Sequence, residues 1–435
     1  MLYGKETKKA LDNFPISGIT MPTDFIHSLA MIKRACAVAN AKQGKLDTAL
    51  SKAIIAAATD VINGEYDDEF VLDVFQTGSG TSTNMNMNEV LSELCKIKYD
   101  EKVHPNDHVN MSQSSNDTIP SAIHVSAYIA LKKDLLPSLN LLSDTLMDRS
   151  ISLTSTLKTG RTHLMDALPM TMGQEIGGWQ KQIISNIERI ETSYRRLGQL
   201  ALGGSAIGTG LNSSSQFTTL ACEELSEQTG IEFVPSDNFF EAISCQDTAV
   251  ELSGHLKTLA TSMMKISNDL RWQNSGPLAG LGEISLKELQ AGSSIMPGKV
   301  NPVIPEAVCM ACAQVMGNDV TITVAGQGGN FQLNTYLPVI AYNLLQSINI
   351  LANSAKVLAT KAISTFEVND ENLQDILAYN PILVTSLNSI IGYEKAAEIA
   401  KCAYKTKRPI IDVAIEMTDI DREELSKLLD PKNLV

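Results

Sequence analysis

Apolar residues recur at intervals of three and four along much of the chain. Ile176, Trp179, Ile183, Ile187, Ile190, Tyr194 and Leu197 mark one helical face, and Leu252, Leu256, Leu259, Met263, Ile266 and Leu270 mark another. No proline falls between Pro169 and Pro235 or between Pro235 and Pro277, so both stripes are free to run as long helices. Residues 120–146 and 333–362 read as two more, the first with a predicted kink at Pro137. Helices are also expected around Phe25–Gln43 and Leu46–Asn63. Period-two alternation is nearly absent, and no strand–helix–strand pattern occurs, so the expected fold class is all-α, a bundle of long helices. These helices carry Ile, Leu, Val and Met on several faces. One chain has too little surface to cover them, which predicts a homo-oligomer with a helical core.

Three regions follow from the pattern. Residues 1–112 mix helices with polar loops, 113–365 hold the long helices, and 366–435 return to shorter helices and polar turns. No low-complexity linker separates them, and no internal repeat is visible.

Charge and composition narrow the function. The formal charge is −14, from 35 Lys+Arg against 49 Asp+Glu. That excess argues against a nucleic-acid partner and, through the mean field, weakly against an anionic substrate. Aromatic residues are few (Phe 10, Tyr 10, Trp 2), too few for a base-stacking platform. Seven scattered cysteines predict a reducing, cytoplasmic setting without a disulfide framework. Cys309 and Cys312 lack a second ligand pair, so they read as two small residues on a helix face and no metal is expected. The N-terminus has no apolar run of a signal peptide, and no uncharged apolar stretch is expected to span a membrane. Tyr336–Ala355 comes nearest, broken by Pro338, Asn343, Gln346 and Asn349.

Four polar islands interrupt the helices. TGSGTSTNMNMNE (Thr77–Glu89) packs hydroxyls and amides densely but lacks a phosphate-loop lysine. It reads as either a turn before a helix or a neutral cradle of donors for an anion. HPNDHVNMSQSSND (His104–Asp117) sets Ser114, Ser115 and Asn116 just before Pro120 and an apolar run, so capping groups and free N–H donors gather at a helix N-terminus. The spacing of His104, Asp107 and His108 fits no common zinc pattern. GRTHLMDALPMTMGQE (Gly160–Glu175) offers Thr162 and His163, the latter suited to proton transfer near neutrality. GSSIMPGKVNP (Gly292–Pro302), running on to Glu306, supplies a hydroxyl (Ser293), a cation (Lys299), an amide (Asn301) and a carboxylate (Glu306) around a Gly/Pro turn. A lysine beside free loop N–H groups can stabilise an oxyanion. The acidity lies elsewhere: Gln76–Glu89 carries one acidic residue, Ser112–Asn116 no charge, and Gly292–Asn301 only Lys299. Convergence on one small acidic ligand accounts for four such islands better than four unrelated turns.

In these motifs, and in ALGGSAIGTGLN (Ala201–Asn212) and NPILVTSLN (Asn380–Asn388), the chain resembles the class II fumarase/aspartase superfamily from Asn13 to about Asp412. The resemblance implies three largely helical domains whose central bundles assemble four subunits, with each active site drawn from three chains and no metal or other cofactor. It implies an iron-independent fumarate hydratase, interconverting fumarate and (S)-malate. Ser293 is similar to the family's base at carbon 3, and Lys299 and Asn301 to groups that hold the resulting aci-carboxylate. His163, paired with Glu306, resembles the group that orients water at carbon 2. Ser79, Thr81, Ser114, Ser115, Asn116 and Thr162 match substrate contacts, and His104, Asn106 and Asp107 match a secondary dicarboxylate site. Leu289–Ala291 and Val303–Glu306 resemble aspartate ammonia-lyases instead. Gly298, His104–Pro105, Ser114–Asn116, Gly282–Ile284 and Gly392–Lys395 are fumarase-like. An inactive lyase-fold scaffold is the non-enzymatic alternative.

Overall fold

The computed structural model describes residues 1–435. Helices dominate, as the apolar periodicity requires. The principal ones are α1 (Lys5–Asn13), α2 (Thr23–Lys42), α3 (Thr48–Ile62), α4 (Thr81–Tyr99), α5 (Ser115–Ala130), α6 (Leu136–Ser152), α7 (Met172–Glu191), α8 (Ser215–Thr229), α9 (Asp247–Gln273), α10 (Val303–Gly326) and α11 (Leu337–Leu358). Shorter helices follow to the C-terminus. Two strands exceed two residues: β1 (Leu157–Thr162) and β2 (Met165–Thr171), an antiparallel hairpin. A minimal antiparallel pair joins β3 (Ile284–Ser285) to β4 (Glu367–Val368).

The chain packs as two compact units, each discontinuous in sequence. One comprises Met1–Ser138, Asn186–Thr261 and Ala311–Asn353; the other comprises Leu139–Ser185, Ser262–Met310 and Ser354–Val435. In the first, α2 lies among α3, α5 and α8. Phe25, Leu29 and Ile32 of α2 are fully buried, and Ala30, Ala35 and Ala39 let the neighbouring backbones approach closely. In the second, Leu139, Leu142 and Leu146 of α6 and Ile176, Trp179 and Ile183 of α7 are buried, and Leu377, Leu387, Ile399, Val413 and Leu425 form a core near the C-terminus.

The stripes behave largely as the spacing predicts. Leu252, Leu256, Leu259, Met263, Ile266 and Leu270 all lie on α9 and are fully buried. The 176–197 stripe is not one helix, because α7 stops at Glu191 and a turn precedes the short helix Tyr194–Leu197. Tyr194 keeps its place by stacking on Tyr128, ring centroids 4.8 Å apart. The kink expected at Pro137 is a π-helical turn at Leu131–Leu135, just before the proline. Pro137 has no N–H for the preceding turn, and the wider turn absorbs that defect. The helix expected from 333 starts at Leu337. The helix nearest to a membrane span in length and apolarity is α10, not Tyr336–Ala355, with a mean hydropathy of 1.3 over its most apolar stretch, but Glu306 and Asp319 leave no uncharged run of that length in it. Asp319 is buried and bonded to Lys257 at 2.6 Å and to Ser253 at 2.8 Å.

Buried carboxylates fasten the N-terminal segment. Glu89 of α4 accepts hydrogen bonds from the N–H groups of Gly4 (2.9 Å), Glu6 (3.0 Å) and Thr7 (3.1 Å) and from the Thr7 hydroxyl (2.6 Å). It thereby caps α1, whose own N-cap residue, Gly4, has no side chain to do so. Asp73 accepts from Ser17, Gly18 and Phe75 N–H groups at 2.6–2.8 Å. Burial works to raise its pKa, but these donors outweigh burial and hold the carboxyl below its ordinary range. Glu89→Ala should cost about 2–3 kcal/mol and free the first helix, read as protease cleavage before Asn13 under native conditions. Unchanged native-state digestion would remove Glu89 from that role.

Candidate active site

The first unit assembles the first two islands. Gly80, at φ 72°, turns the chain into α4, and Gly78 crosses so close to Thr335 that a Cβ would lie 1.8 Å from its carbonyl oxygen. Ser79 and Thr81 share a 2.7 Å hydrogen bond. Ser114 caps α5 in a reciprocal capping box with Asp117. Asn84 donates to Ser115 Oγ at 2.9 Å, which ties the two islands together. Asn116 donates to the Ala206 carbonyl at 2.8 Å. The result is a set of hydroxyls and amides at two helix N-termini, and the carboxylate beside them, Asp117, accepts from backbone N–H groups.

The secondary-site residues lie in the same unit. His104 caps a π-helical turn, Pro105–Val109, and its Nδ1 accepts from Asp107 N–H at 3.1 Å. Asn106 and Asp107 line an open cavity of 540 Å³ with Lys45, Asn110, Ser112 and Asn212. His104 is not part of that lining.

The second unit holds the other two islands. Ser293 Oγ accepts from the N–H groups of Ile295 (3.2 Å) and Met296 (3.1 Å). Lys299 donates to Asn301 Oδ1, and Asn301 Nδ2 donates to the Gly292 carbonyl at 2.6 Å. The loop thus closes on itself. A Cβ at Gly292 would fall 1.8 Å from the Lys299 carbonyl oxygen, so only glycine allows that crossing. Thr162 ends β1, and His163 and Leu164 form the two-residue turn to β2, with φ of 56° and 59°. The His163 ring is exposed and makes no hydrogen bond. Glu306 sits in the first turn of α10, and no ion pair joins it to His163 within the chain.

Comparison with known proteins identifies the family. The family described as Lyase matches residues 1–317, and the one described as Fumarase C C-terminus matches residues 383–435. Fumarate hydratase class II 2 of Pseudomonas aeruginosa is 54% identical, covering 100% of this chain and 94% of that protein. The chain belongs to the class II fumarate hydratase family. Fumarate hydratase class II of Xylella fastidiosa is likewise 54% identical, covering 100% of this chain and 92% of its own. The crystal structure of class II fumarase from Schistosoma mansoni has a TM-score of 0.96 at 38% identity, covering 100% of this chain and 95% of that one. Membership makes the chain an enzyme, a hydro-lyase.

The motifs of this class II fumarate hydratase relative did not reveal what holds its donors in place. Lys33, fully buried on α2, donates to Asn110 Oδ1 (2.9 Å) and Gln113 Oε1 (3.0 Å). Asn110 Oδ1 also accepts from Asn84 at 3.1 Å, so the buried amine connects through two amides to Ser115. Asp117 accepts from Ser114 (2.9 Å), Ser205 (2.8 Å) and Gly203 (3.0 Å) N–H groups. Burial still pushes its carboxyl up to about 6. The one available signal was the basic pair Lys33–Arg34 within an otherwise apolar and small-residue run, Ala30–Ala39.

Burial drives the Lys33 amine down to about 7, against the opposing pull of Cys36 and Asp117. Between that value and 10.5 the unfolded chain binds more protons at Lys33 than the folded one, so its contribution to stability rises with pH. Wild-type protein should therefore gain stability relative to Lys33→Met between pH 7 and pH 9, by up to about 1.4 kcal/mol per unit. Urea unfolding of both proteins at the two pH values checks this. A constant difference would mean that the amine titrates normally.

Proposed function

We propose that the chain hydrates fumarate reversibly to (S)-malate by anti addition of water, through an aci-carboxylate intermediate. The observation that carries the mechanism is the Ser293 hydroxyl with two backbone N–H groups directed at its oxygen. A serine is a poor base in water. Donors fixed on the oxygen lower the cost of its alkoxide, which then takes the proton from carbon 3 of malate. The negative charge passes onto the substrate carboxylate, where Lys299, Asn301 and loop N–H groups stabilise it. Removing one such donor typically costs about 10²–10³ in rate. His163, oriented by Glu306, positions the water at carbon 2. Ser79, Thr81, Ser114, Ser115, Asn116 and Thr162 bind the carboxylates and hydroxyl through neutral donors.

On this reading the enzyme is a cytoplasmic homotetramer of three-domain subunits divided near 112 and 365, and three subunits contribute to each site. Support comes from the exposed His163 ring and from exposed apolar residues on α10, namely Met310, Val320 and Val324. His104, Asn106 and Asp107 form the secondary dicarboxylate site, with Lys45 in the adjoining cavity as its cation.

One assay decides the activity. Pure protein is incubated with fumarate alone and with fumarate plus ammonium, and the double bond's far-ultraviolet absorbance is followed. Loss with fumarate alone is expected. Loss that requires ammonium would identify an aspartate ammonia-lyase, and no loss in either would mean a scaffold or another substrate. Ser293→Ala should lower kcat by about 10²–10⁴-fold with assembly and substrate affinity retained. Near-normal turnover would take the base role from Ser293.

A further inference from the structure

We propose that Glu283 is a positioning residue for His163, acting through Arg161 to hold the hairpin turn that carries the imidazole. This rests on the reading of His163 as the group that orients water. The turn itself is strained. His163 and Leu164 both have positive φ, as a two-residue hairpin turn demands, yet such turns ordinarily use Asn and Gly at these positions. Each non-glycine residue there is disfavoured, and such strain persists only where the surroundings over-determine the conformation. The turn tip offers no such support, because Thr162, His163, Leu164 and Met165 are all exposed.

The support lies at the base of the hairpin. Glu283 is 1% exposed, and its two carboxylate oxygens take one cation each: Lys158 Nζ on Oε2 and Arg161 Nη2 on Oε1, both at 2.7 Å. Lys158, itself 2% exposed, also donates to Glu175 at 2.7 Å, and Glu175 accepts from Gln273 at 2.8 Å. Two cations and two anions thus balance in a cluster centred on buried Lys158 and Glu283, and Glu283 is the member that touches both cations of β1. In a flat strand residues 158 and 161 would face opposite ways. Here the ladder slips between Thr159 and Arg161, with one extra residue on β2. Such a bulge bends and twists the pair. Across it, both side chains reach the same carboxylate, and Arg161 immediately precedes Thr162 and His163.

Glu283 cannot shift to follow the hairpin. Its N–H donates to the Gln273 carbonyl at 2.8 Å, and its own carbonyl accepts from Asn369 N–H at 3.0 Å. It then leads into β3, ten residues before Ser293. The same backbone segment therefore fixes the approach to the serine loop and, through the carboxylate, the aim of the histidine turn.

Steady-state kinetics on five variants tests the proposal, with assembly checked by light scattering. Glu283→Gln and Arg161→Gln are each expected to lower kcat about 10²-fold with little change in KM, since small misplacement of a reacting group costs that much. Glu175→Gln removes the carboxylate that does not touch Arg161, and kcat should stay within about twofold of wild type while thermal stability falls. Adding Glu283→Gln to His163→Asn should cost nothing further, because a residue acting through His163 has nothing left to act on. Additive losses in that double variant, or a Glu175→Gln defect as large as that of Glu283→Gln, would overturn the proposal. If Glu283→Gln does not fold, Arg161→Gln still decides, because it leaves Glu283 paired with Lys158. Normal kcat in Arg161→Gln overturns the proposal. Full activity in His163→Asn alone would instead overturn the role of His163, a failure visible before any Glu283 variant is made.

Discussion

A loop made of Gly, Ser, Thr and Asn has no apolar face with which to dock, so hydrogen bonds must set its shape. In this chain many of the partners are buried ionisable groups, although the serine loop closes on Lys299 and Asn301 instead. Glu89 and Asp73 collect the amides of the N-terminal segment, Asp117 those around Ser114 and Gly203–Ser205, Lys33 the amides of Asn110 and Gln113, and Glu283 the two cations of β1. A buried charge without partners costs several kcal/mol, so each of these groups is tolerable in one loop conformation and penalised in the others. The charges therefore select conformations more than they add stability. They do for the polar islands what apolar stripes do for the helices.

That division explains what could be read from the residues alone. Helix burial follows a fixed spacing, so every position of the 252–270 stripe falls on the inner face of α9. The polar islands around Ser79, Ser114, Ser293 and Asn301 were legible because their hydroxyls and amides cluster locally in the sequence. The hairpin at Leu157–Thr171 was not. Its bulge breaks period-two alternation, and Gly160-Arg161-Thr162-His163 reads as a polar loop. Nor were the long-range pairs. Glu283 lies 122 residues from Arg161, and Lys33 lies 77 from Asn110. Nothing local to either residue announces its partner, since the pairing is created by the fold.

The acidity of the chain is likewise a poor guide to its ligand. Buried Glu89 and Asp117 spend their oxygen lone pairs on backbone N–H groups, so little of their charge is directed at the islands they hold. Solvated carboxylates elsewhere are screened within about 8–10 Å. On the proposed reading, a dicarboxylate meets hydroxyls, amides, helix N-termini and Lys299. Net charge constrains nucleic-acid binding, where a whole face must be basic. It does not constrain a small anion received by a few fixed dipoles.

On the proposed reading, the face of α10 links assembly to chemistry. Glu306 lies one turn before Met310, and exposed Ala313, Gly317, Val320 and Val324 continue the same side of the helix at steps of three and four. Ala313 and Gly317 leave room for another helix to approach closely, while Met310, Val320 and Val324 supply apolar area that is unfavourable to leave in water. A second subunit covering that stripe reaches Glu306 as well, at the end of the helix where the serine loop joins it. The exposed imidazole of His163 then gains a fixed carboxylate neighbour from the contact that removes apolar surface from water. An orienting pair made this way is dry only in the assembled enzyme, where its electrostatic effect on water is strongest. On the proposed reading, oligomerisation is thus part of the active site's construction. On the same reading, the strained turn at His163 and Leu164, held from its base, keeps the imidazole in place for a partner that the chain alone does not provide.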